Sequence, residues 1–503
     1  MPSIFTRACK FITTLKPYYS ALVNDNSSES VIQQRQYQQK ILEKLKENYN
    51  QRNHTIIEVD TGLGKRVLTY LLIKNILHNK RVLLLLHSTL SYSETIHYFK
   101  EEYGGFQESD FQAFSSRTPS YLRKRILDNA RIVATTPQTF LNAFKKLITK
   151  PIFDVIIINE IDKIVRRYGD SRLLIYPYNT LIPYFVQSKS WIVGMTGTIR
   201  DDHIFYNYKK EMIEIQQEIL TLDRTIPDLH IIRMDSLLVQ TDIQDYIKNT
   251  YIQRLQIDVD PELKTILDLI DQAITDLRQK IIDETLEERP TLLETIPSSQ
   301  LALVSGMLEP QSGVNQKYQG LLLIRKYCTA MQPKKFRKFL YRLKKFGVTK
   351  ELIRALPEKS TKIKSVQDLI SQQPPNSKTV VLCSFLDTAS YLQEEVDKMG
   401  VASFLITGQI RKKIEVLNDF KREKTKAVLI MTAVGERDID IPQANLMIVY
   451  DVVNTVKTMY QRFKRTRGGL VLCLSYRETF EDRKVSRLLQ EISERYPWSS
   501  IIE

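Results

Sequence analysis

Cysteine and histidine are scarce in this chain. Its 503 residues include four cysteines and six histidines, and neither set shows the paired spacing of a structural zinc site. Three of the cysteines, Cys328, Cys383 and Cys473, lie in apolar runs, as buried thiols do, and Cys9 stands apart near the amino terminus. The sequence therefore predicts no structural metal and a reducing, intracellular location in the cytoplasm, nucleoid or nucleus.

Long hydrophobic runs are also missing. No apolar stretch reaches the roughly 18 residues from which a membrane span is inferred, so we expect no membrane partner. Acidic residues are absent before Asp25, and the basic first segment contains Ser and Thr. This composition fits either an organelle transit peptide or a lead-in to the first folded domain.

Negative charge is in short supply over the whole chain. Lysines and arginines number 73 against 58 aspartates and glutamates, which gives a formal net charge of +15. An excess of this size indicates a polyanionic partner, and nucleic acid is the first candidate. The alternative is a general contribution to solubility.

Short apolar runs alternate with amphipathic segments in two parts of the chain. The runs are continuously apolar, which predicts strands of parallel sheets that are covered on both faces. We therefore expect an α/β fold with two sheets. The runs lie at 81–88, 130–137, 153–160 and 190–197, and again at 379–385, 426–433, 445–451 and 470–475.

Long helical patterns dominate between these two regions. The expected domains are a first α/β domain over 1–205, a helical insert domain over 206–360 and a second α/β domain over 361–503.

The insert contains a strongly basic helical pattern over 334–346. Its apolar residues recur at helical spacing, which predicts a stripe packed on neighbouring helices. Its lysines and arginines, with Lys338 and Arg342 among them, are candidates for contact with a duplex, and a solvated surface helix is the alternative. The residues of the apolar stripe are Phe336, Phe339, Leu340 and Leu343.

The segment 56–72, IIEVDTGLGKRVLTYLL, joins an apolar strand pattern to a helical one through a glycine-containing loop. Gly62 and Gly64 permit a sharp turn and let backbone N–H groups approach phosphate oxygens. Lys65 would place its ammonium on the outer phosphates, and the N-terminus of the helix favours an anion. Together with Thr61, these residues form a candidate nucleotide-binding loop.

Polar motifs follow four other apolar runs. They are IIINEID (156–162), MTGT (195–198), TAVGERDIDIP (432–442) and YQRFKRTR (460–467). In this order and at these distances, they resemble the motifs of superfamily-two helicases. The nearest branch looks like the Hef and Fanconi-anaemia M-type DNA translocases and the RIG-I-like and Dicer RNA-sensing ATPases.

This resemblance implies two RecA-like domains with a cleft for ATP and magnesium between them. It also accounts for the basic first segment, since KFITTLKP followed by RQYQQ resembles the lead-in of this branch. ATTPQTF is similar to the Thr-Pro-Gln motif with which the branch contacts a nucleic-acid strand. The residues that the resemblance assigns are Arg35 and Gln38 to adenine, Asp440 and Gln461 to the nucleotide, Thr136, Pro137 and Gln138 to nucleic acid, Glu160 to the attacking water and Arg465 to a catalytic arginine position.

Two positions of the metal site depart from the family pattern. Arg66 stands where a magnesium-binding hydroxyl belongs, and Asn159 stands where an aspartate holds the hydrated ion. An amide has no net charge and is a poor partner for a divalent cation. Two alternatives stay open for Arg66: it supplies part of the missing charge, or it points to solvent from the first turn of its helix.

The last motif departs from the pattern as well. Lys464 replaces a glycine, Gly468 stands where the final arginine belongs, and Arg467 lies one residue away. Phosphoryl transfer needs the metal, the loop lysine, the water-orienting carboxylate and the arginine to act together. We therefore expect weakened ATP binding and very slow or absent hydrolysis. The alternative is compensation, in which Arg467 shifts into the arginine position and Asn159 is tolerated.

Three functions are compatible with these patterns. The first is a helicase-fold protein that binds duplex or branched nucleic acid, with DNA favoured over RNA, and acts as a clamp, a sensor or a subunit beside a protein partner, as in DNA repair. The second is an active ATP-dependent DNA helicase or translocase of the Hef type, and the third is a protein scaffold without nucleic-acid binding. The net charge and the Thr-Pro-Gln motif disfavour the third, and the altered metal positions favour the first over the second.

Overall fold

Two seven-stranded sheets form the framework of the protein. We describe them from a computed structural model. The structure describes residues 34–60, 62–165, 174–199, 204–206, 212–215, 218–247, 250–288, 313–331, 333–410, 413–432, 444–451, 456–464, 469–496 and 500–502. The expected α/β class, with two parallel-sheet domains and a helical block between them, is confirmed.

The strands of the first sheet are β1 (His54–Glu58), β2 (Val82–Leu85), β3 (Phe111–Ala113), β4 (Ile132–Thr135), β5 (Val155–Asn159), β6 (Trp191–Thr196) and β9 (Leu229–Ile232), and a separate antiparallel pair is formed by β7 (Ile204–Tyr206) and β8 (Met212–Ile215). Their order in the sheet is β3-β4-β2-β5-β6-β1-β9, and every pairing is parallel. The carboxyl ends of these strands therefore share one edge, and those of β5, β6 and β1 are immediate neighbours.

The helices of the first domain are α1 (Gln36–Gln51), α2 (Lys65–Asn75), α3 (Thr89–His97), α4 (Ser120–Asn129), α5 (Pro137–Lys146), α6 (Tyr178–Gln187), α7 (Glu218–Thr225) and α8 (Met234–Gln240). A π-helical turn, Tyr98–Glu102, continues α3, and two 3₁₀ turns lie at Ile161–Ile164 and Asp242–Tyr246. Helix α3 begins where the Ser88 hydroxyl accepts a hydrogen bond from the Ser91 N–H, which satisfies one of the free donors of the first turn.

The second sheet contains β10 (Tyr251–Ile257), β11 (Lys378–Cys383), β12 (Ala402–Ile406), β13 (Ala427–Thr432), β14 (Leu446–Val449), β15 (Leu470–Tyr476) and β16 (Ser500–Ile502). Its order is β12-β13-β11-β14-β15-β10-β16, again with parallel pairings. Two strands in the range expected for the helical block thus belong to the sheets: β9 pairs with β1, and β10 pairs with β15. These two short segments were not recognised as strands because helical patterns surround them in the sequence.

The helical block follows β10 directly. It consists of α9 (Pro261–Glu288), α10 (Gly313–Ala330), α11 (Pro333–Leu340), a 3₁₀ turn at Tyr341–Phe346 and α12 (Lys350–Ala355). The chain then returns to the second sheet, whose remaining helices are α13 (Thr361–Ser371), α14 (Leu386–Asp397), α15 (Lys413–Arg422), α16 (Val456–Lys464) and α17 (Phe480–Arg495).

Both sheets are buried on two faces, as continuous hydrophobicity predicts. In β1, Ile56 and Ile57 point into different hydrophobic cores, and Val380 and Val381 of β11 do the same in the second sheet. One core of the second sheet also contains residues of the helical block, such as Phe336. The block is therefore packed onto the second sheet through shared apolar contacts.

The apolar stripe of the basic helix is confirmed at three of its four positions. Phe336, Leu340 and Leu343 are buried in the core that the block shares with the second sheet. Phe339 is the exception, because half of its surface is exposed. The α-helix also ends at Leu340 and continues as a 3₁₀ turn, which changes the spacing on which the stripe was predicted.

The buried thiols predicted at Cys328, Cys383 and Cys473 are confirmed, and Cys9 lies outside the described residues. Burial raises the pKa of the Cys328 and Cys473 thiols. None of the helices in the described ranges is long and apolar enough to cross a membrane.

Candidate nucleotide site and nucleic-acid surface

The phosphate loop lies at the carboxyl end of β1 and leads into α2. Gly62 and Gly64 have positive φ angles of 91° and 76°, which favour glycine. A Cβ atom on Gly64 would also lie 3.0 Å from Nε2 of Gln38. Lys65 begins α2, and its Nζ donates to the backbone carbonyl of Val59 at 3.0 Å, across the mouth of the loop. These residues form the strand, loop and helix N-terminus that a phosphate group requires.

The two predicted adenine-recognising residues lie together at the start of α1. The Arg35 N–H donates to Oε1 of Gln38 at 3.1 Å, which closes the first turn of the helix. The Arg35 guanidinium lies 4.3 Å from the ring centre of Tyr246. Gln38 is buried beside Gly64, so the structure brings both residues next to the phosphate loop.

Tyr37 connects this helix to the loop, and sequence reasoning missed it. Its hydroxyl donates to the backbone carbonyl of Leu63 at 2.8 Å in a buried position. Burial raises the pKa of Tyr37, so the hydroxyl stays protonated. The backbone N–H of Tyr37 donates to Asp242 at 2.8 Å. An aromatic residue between Arg35 and Gln38 was the signal that could have identified it.

The acidic motif follows β5, two strands from β1. Glu160 has a φ angle of 56°, which a residue with a side chain rarely adopts and which is typical of functional sites. Its Oε2 lies 3.6 Å from Nζ of Lys163. Asn159 ends β5, and its Nδ2 donates to the hydroxyl of Ser91 at 3.0 Å. The residue expected at the metal is thus hydrogen-bonded to α3.

Asp162 connects the acidic motif to β6. Its Oδ1 accepts a hydrogen bond from the Thr196 hydroxyl at 2.7 Å, and both residues are buried. The two strand ends are also packed closely, because a Cβ atom on Gly194 would lie 2.4 Å from Cδ1 of Ile161. The acidic motif is therefore held rigidly against β6.

Arg66 does not follow the second alternative left open by the sequence, in which it points to solvent. Its Nη2 lies 2.6 Å from Oε2 of Glu94 on α3, and its guanidinium lies 4.4 Å from the ring centre of Tyr98. Its side chain is 26% exposed, so it is not directed freely into solvent. The positive charge of Arg66, which the first alternative assigns to the role of magnesium, is thus paired with the Glu94 carboxylate.

Helix α3 thus binds both residues that replace the expected metal groups. Ser91 and Glu94 are three residues apart, which places them on one face of the helix. Ser91 pairs with Asn159 and Glu94 pairs with Arg66. Mg²⁺ takes oxygen ligands, preferably charged ones. Arg66 offers a guanidinium, which is no ligand, and Asn159 offers only an uncharged amide oxygen, since its Nδ2 donates to Ser91. The residues present do not fit the expected magnesium site.

The second domain contacts this site through α16. The Tyr460 hydroxyl donates to Oδ2 of Asp60 at 2.5 Å, and Nζ of Lys464 lies 3.3 Å from the same oxygen. The carboxylate is 3% exposed and the Lys464 side chain 6%. Lys464, which replaces a glycine of the family pattern, therefore neutralises a buried carboxylate next to the phosphate loop.

Several predicted residues cannot be placed. Thr61, Asp440 and Arg465, together with Arg467 and Gly468, lie outside the described residues. The backbone of Gln461 belongs to α16. The assignments of these residues therefore stay predictions.

The Thr-Pro-Gln motif lies at the carboxyl end of β4, on the same sheet edge as the phosphate loop. Thr136 precedes α5, Pro137 is its first residue and Gln138 is exposed. Hydrogen bonds from Gln138 and then Lys145 lower the pKa of the exposed Tyr176 hydroxyl. This surface offers amide, hydroxyl and ammonium groups to a passing strand.

The basic residues of the helical block divide into different roles. Arg337 points inward and donates to the backbone carbonyl of Leu356. Arg342 is exposed, and its guanidinium lies 5.4 Å from the ring centre of Phe339. Lys338 belongs to α11. The guanidinium of Arg337 is therefore used within the block.

Comparisons with known proteins agree with this arrangement. Residues 31–201 match the protein-family model "Type III restriction enzyme, res subunit", and residues 361–469 match "Helicase conserved C-terminal domain". The Pyrococcus furiosus Hef helicase domain superposes with a TM-score of 0.60 at 19% identity, covering 92% of this chain and 98% of that one. The first α/β domain is thus similar to one family model and the second to the other, and the fold is that of the Hef helicase domain.

Two further comparisons extend this result. Saccharomyces cerevisiae Dbp5, solved with RNA and ADP BeF3, superposes on the helicase fold with a TM-score of 0.53 at 13% identity, covering 97% of this chain and 92% of that one. A Methanocaldococcus jannaschii protein, whose name places it among ATP-dependent RNA helicases, is 22% identical over 490 residues. The match covers 87% of this chain and 59% of that relative's length. Both predicted α/β domains are RecA-like.

Proposed function

We propose that this protein binds duplex or branched nucleic acid through its helicase fold and hydrolyses ATP very slowly or not at all. The observation that carries the second half of the proposal is the pairing of Arg66 with Glu94 and of Asn159 with Ser91. Both expected metal positions are engaged with α3. A divalent ion would meet the Arg66 guanidinium in place of a hydroxyl ligand and an uncharged amide oxygen in place of a carboxylate.

The catalytic cost of such a change is large. Removing one preorganised electrostatic contact slows enzymes by about 10²- to 10³-fold, and the metal site acts as a unit with the arginine position. Lys65 and Glu160 keep their places at the strand ends, so weak nucleotide binding remains compatible with the geometry. On this proposal, the nucleotide serves mainly to bias the position of the two domains.

Binding to nucleic acid is supported by the +15 net charge and by the exposed Gln138 of the Thr-Pro-Gln motif. Helicases mostly contact phosphate and sugar, so binding should be independent of sequence. Counterion release should make it weaken steeply with salt. Binding assays with matched DNA and RNA duplexes and forks decide between the two nucleic acids. The test is needed because the resemblance to Hef favours DNA, whereas the Methanocaldococcus relative is named as an RNA helicase. Loss of all binding at about 50 mM salt would support the scaffold instead.

Steady-state phosphate release by the unmodified protein tests the proposed ATPase defect. We expect turnover well below 1 s⁻¹ with duplex or forked substrate, where ordinary enzymes reach about 1–10³ s⁻¹. Lys65→Ala is the control for contaminating ATPases. A magnesium-dependent turnover of about 1 s⁻¹ or more that Lys65→Ala abolishes would identify an active helicase or translocase and contradict the proposal.

A further inference from the structure

Three aromatic rings form a nearly parallel ladder where the helical block meets the second sheet. Tyr327 of α10 lies between Phe385, which follows β11, and Phe339 of α11. The Tyr327 and Phe385 ring centres are 4.3 Å apart with planes 24° from parallel. The Tyr327 and Phe339 centres are 6.3 Å apart with planes 3° from parallel. The three ring planes are thus nearly parallel, so the faces of the rings point in one common direction.

The outer ring of the ladder is exposed. Phe339 is 50% exposed, although its helix neighbours Phe336 and Leu340 are fully buried. Leu323, one helical turn before Tyr327, is exposed to the same extent, and Leu386, next to Phe385, is 37% exposed. Leaving an apolar patch in water forfeits burial free energy, and such patches usually mark a binding surface.

Cations flank the ladder at both ends. The exposed Arg342 guanidinium lies 5.4 Å from the Phe339 ring centre. At the other end, Nζ of Lys326 lies 5.2 Å from the Phe385 ring centre and donates to the Ser384 hydroxyl at 3.0 Å. Burial and then the charge of Lys326 lower the pKa of the nearby Lys484, a sign of positive potential at this end.

A stack of rings with a cation at each end matches the chemistry of a nucleic-acid single strand. Bases stack on aromatic faces whatever their sequence, and the phosphates between them pair with lysine and arginine. An apolar protein segment would use the rings but not the flanking charges. The positive flanks therefore favour an anionic, base-bearing ligand over a protein segment.

We propose that the ladder ending at Phe339 is a stacking platform for an unpaired base, which binds the single-stranded part of a fork or tailed duplex. This inference rests on the proposed nucleic-acid-binding function. It adds a ligand class, the unpaired nucleotide, to the duplex or branched substrate. Arg342 would bind the adjoining phosphate, which couples the exposed ring to an exposed charge.

Fluorescence anisotropy with a blunt duplex, the same duplex with a single-stranded tail, and the tail alone tests this proposal. Phe339→Ala should weaken binding of the tailed duplex and the tail by roughly 5- to 150-fold and leave the blunt duplex nearly unchanged. Phe339→Leu keeps the apolar volume and should show the same loss, whereas Phe339→Trp should not. Tyr121→Ala, which removes another exposed ring from α4, is the matched control.

A second readout reports stacking directly. 2-Aminopurine at the first unpaired position should lose fluorescence on binding to the unmodified protein, and Phe339→Leu should prevent that loss. If Phe339→Ala weakened the affinity for blunt and tailed duplexes equally, or weakened neither, the platform would be overturned. Duplex binding by the unmodified protein would still stand. In the second case the exposed rings would bind a protein instead. An unmodified protein that binds none of the three would overturn the proposed function and this inference together.

Discussion

Lys464 places its Nζ atom 3.3 Å from Oδ2 of Asp60, across the boundary between the two domains. Tyr460 donates to the same oxygen, one turn earlier on α16. The carboxylate is buried beside the phosphate loop, so an uncompensated negative charge there would repel a nucleotide. The lysine that departs from the family pattern thus has a defined partner, and its loss has consequences for both stability and nucleotide affinity.

Replacing Lys464 by glycine, the residue of the family pattern, should destabilise the protein. The change removes the Lys464 ammonium from the buried Asp60 carboxylate, and breaking a buried ion pair costs about 3–5 kcal/mol. Urea unfolding should shift to lower denaturant concentration. The double variant Asp60→Asn/Lys464→Met should lose less than Lys464→Gly alone. Equal losses in the single and double variants would show that the pair contributes no coupling.

Restoring the metal groups should require two changes at once. Arg66→Thr alone removes the guanidinium from Glu94, and Asn159→Asp alone leaves Arg66 in place of the hydroxyl. Together, with Glu94→Gln to remove the carboxylate that pairs with Arg66, they should tighten magnesium-dependent nucleotide binding by about 10- to 100-fold, the usual range for groups around a metal. Titration with a fluorescent ATP analogue, with and without Mg²⁺, measures this change.

Hydrolysis should rise only modestly in the restored variant, because Gly468 still leaves an arginine position unfilled. Glu94→Gln alone serves as the matched control. Full magnesium dependence in a single variant would contradict the view that the two positions act as a unit.

The buried Lys484 predicts an unusual dependence of stability on pH. Burial, and then the charge of Lys326, lower the pKa of Lys484 from 10.5 to about 8, while Glu481 opposes this and Arg325 and Arg487 add to it. Between these two pKa values the unfolded chain binds more protons, so this group's contribution to stability rises as pH increases through that window. Below pH 8 the cost of burying the charge is fully present.

Lys484→Met should therefore raise the melting temperature most at pH 7, and the difference from the unmodified protein should shrink towards pH 10.5. Lys424→Met, on an exposed site, is the control and should show no such trend. A Lys484→Met advantage that is constant from pH 7 to 10.5 would mean that the amine does not titrate in this window.

Tyr37→Phe should weaken the link between α1 and the phosphate loop. It removes the hydroxyl that donates to the Leu63 carbonyl, and losing one buried hydrogen bond costs about 1 kcal/mol. We expect a slightly lower melting temperature and a several-fold weaker affinity for nucleotide, because the Leu63 carbonyl of the phosphate loop loses the hydrogen bond that positions it. Tyr49→Phe on the same helix is the control. Unchanged nucleotide affinity would confine the role of Tyr37 to stability.

The parts of the structure that depend on local pattern could be predicted from the sequence. Continuous apolar runs identified the central strands of both sheets, though not strands nearer the edges such as β9 and β10, and the spacing from Gly62 to Lys65 identified the loop. Pairings between distant residues could not be predicted. Arg66 and Glu94 are 28 residues apart, and only the packing of α3 against the sheet brings them together.

The same limit applies to Phe339. Its helical spacing assigned it to the buried stripe, but its ring stacks with Tyr327 from another helix and is half exposed. A pattern within one helix contains no information about which neighbouring ring will stack on it. Tertiary contacts decide such cases.

The chain enters the helical block from β10 and leaves it towards β11, two strands of one sheet. The block is thus tethered at both ends to the second domain and shares its core. The block and the second domain are therefore expected to move together as one rigid body. A change in the angle between the two sheets alters the distance from Phe339 to the Thr-Pro-Gln motif. The binding of a nucleic-acid strand at both places would therefore depend on how far the cleft between the two domains is open.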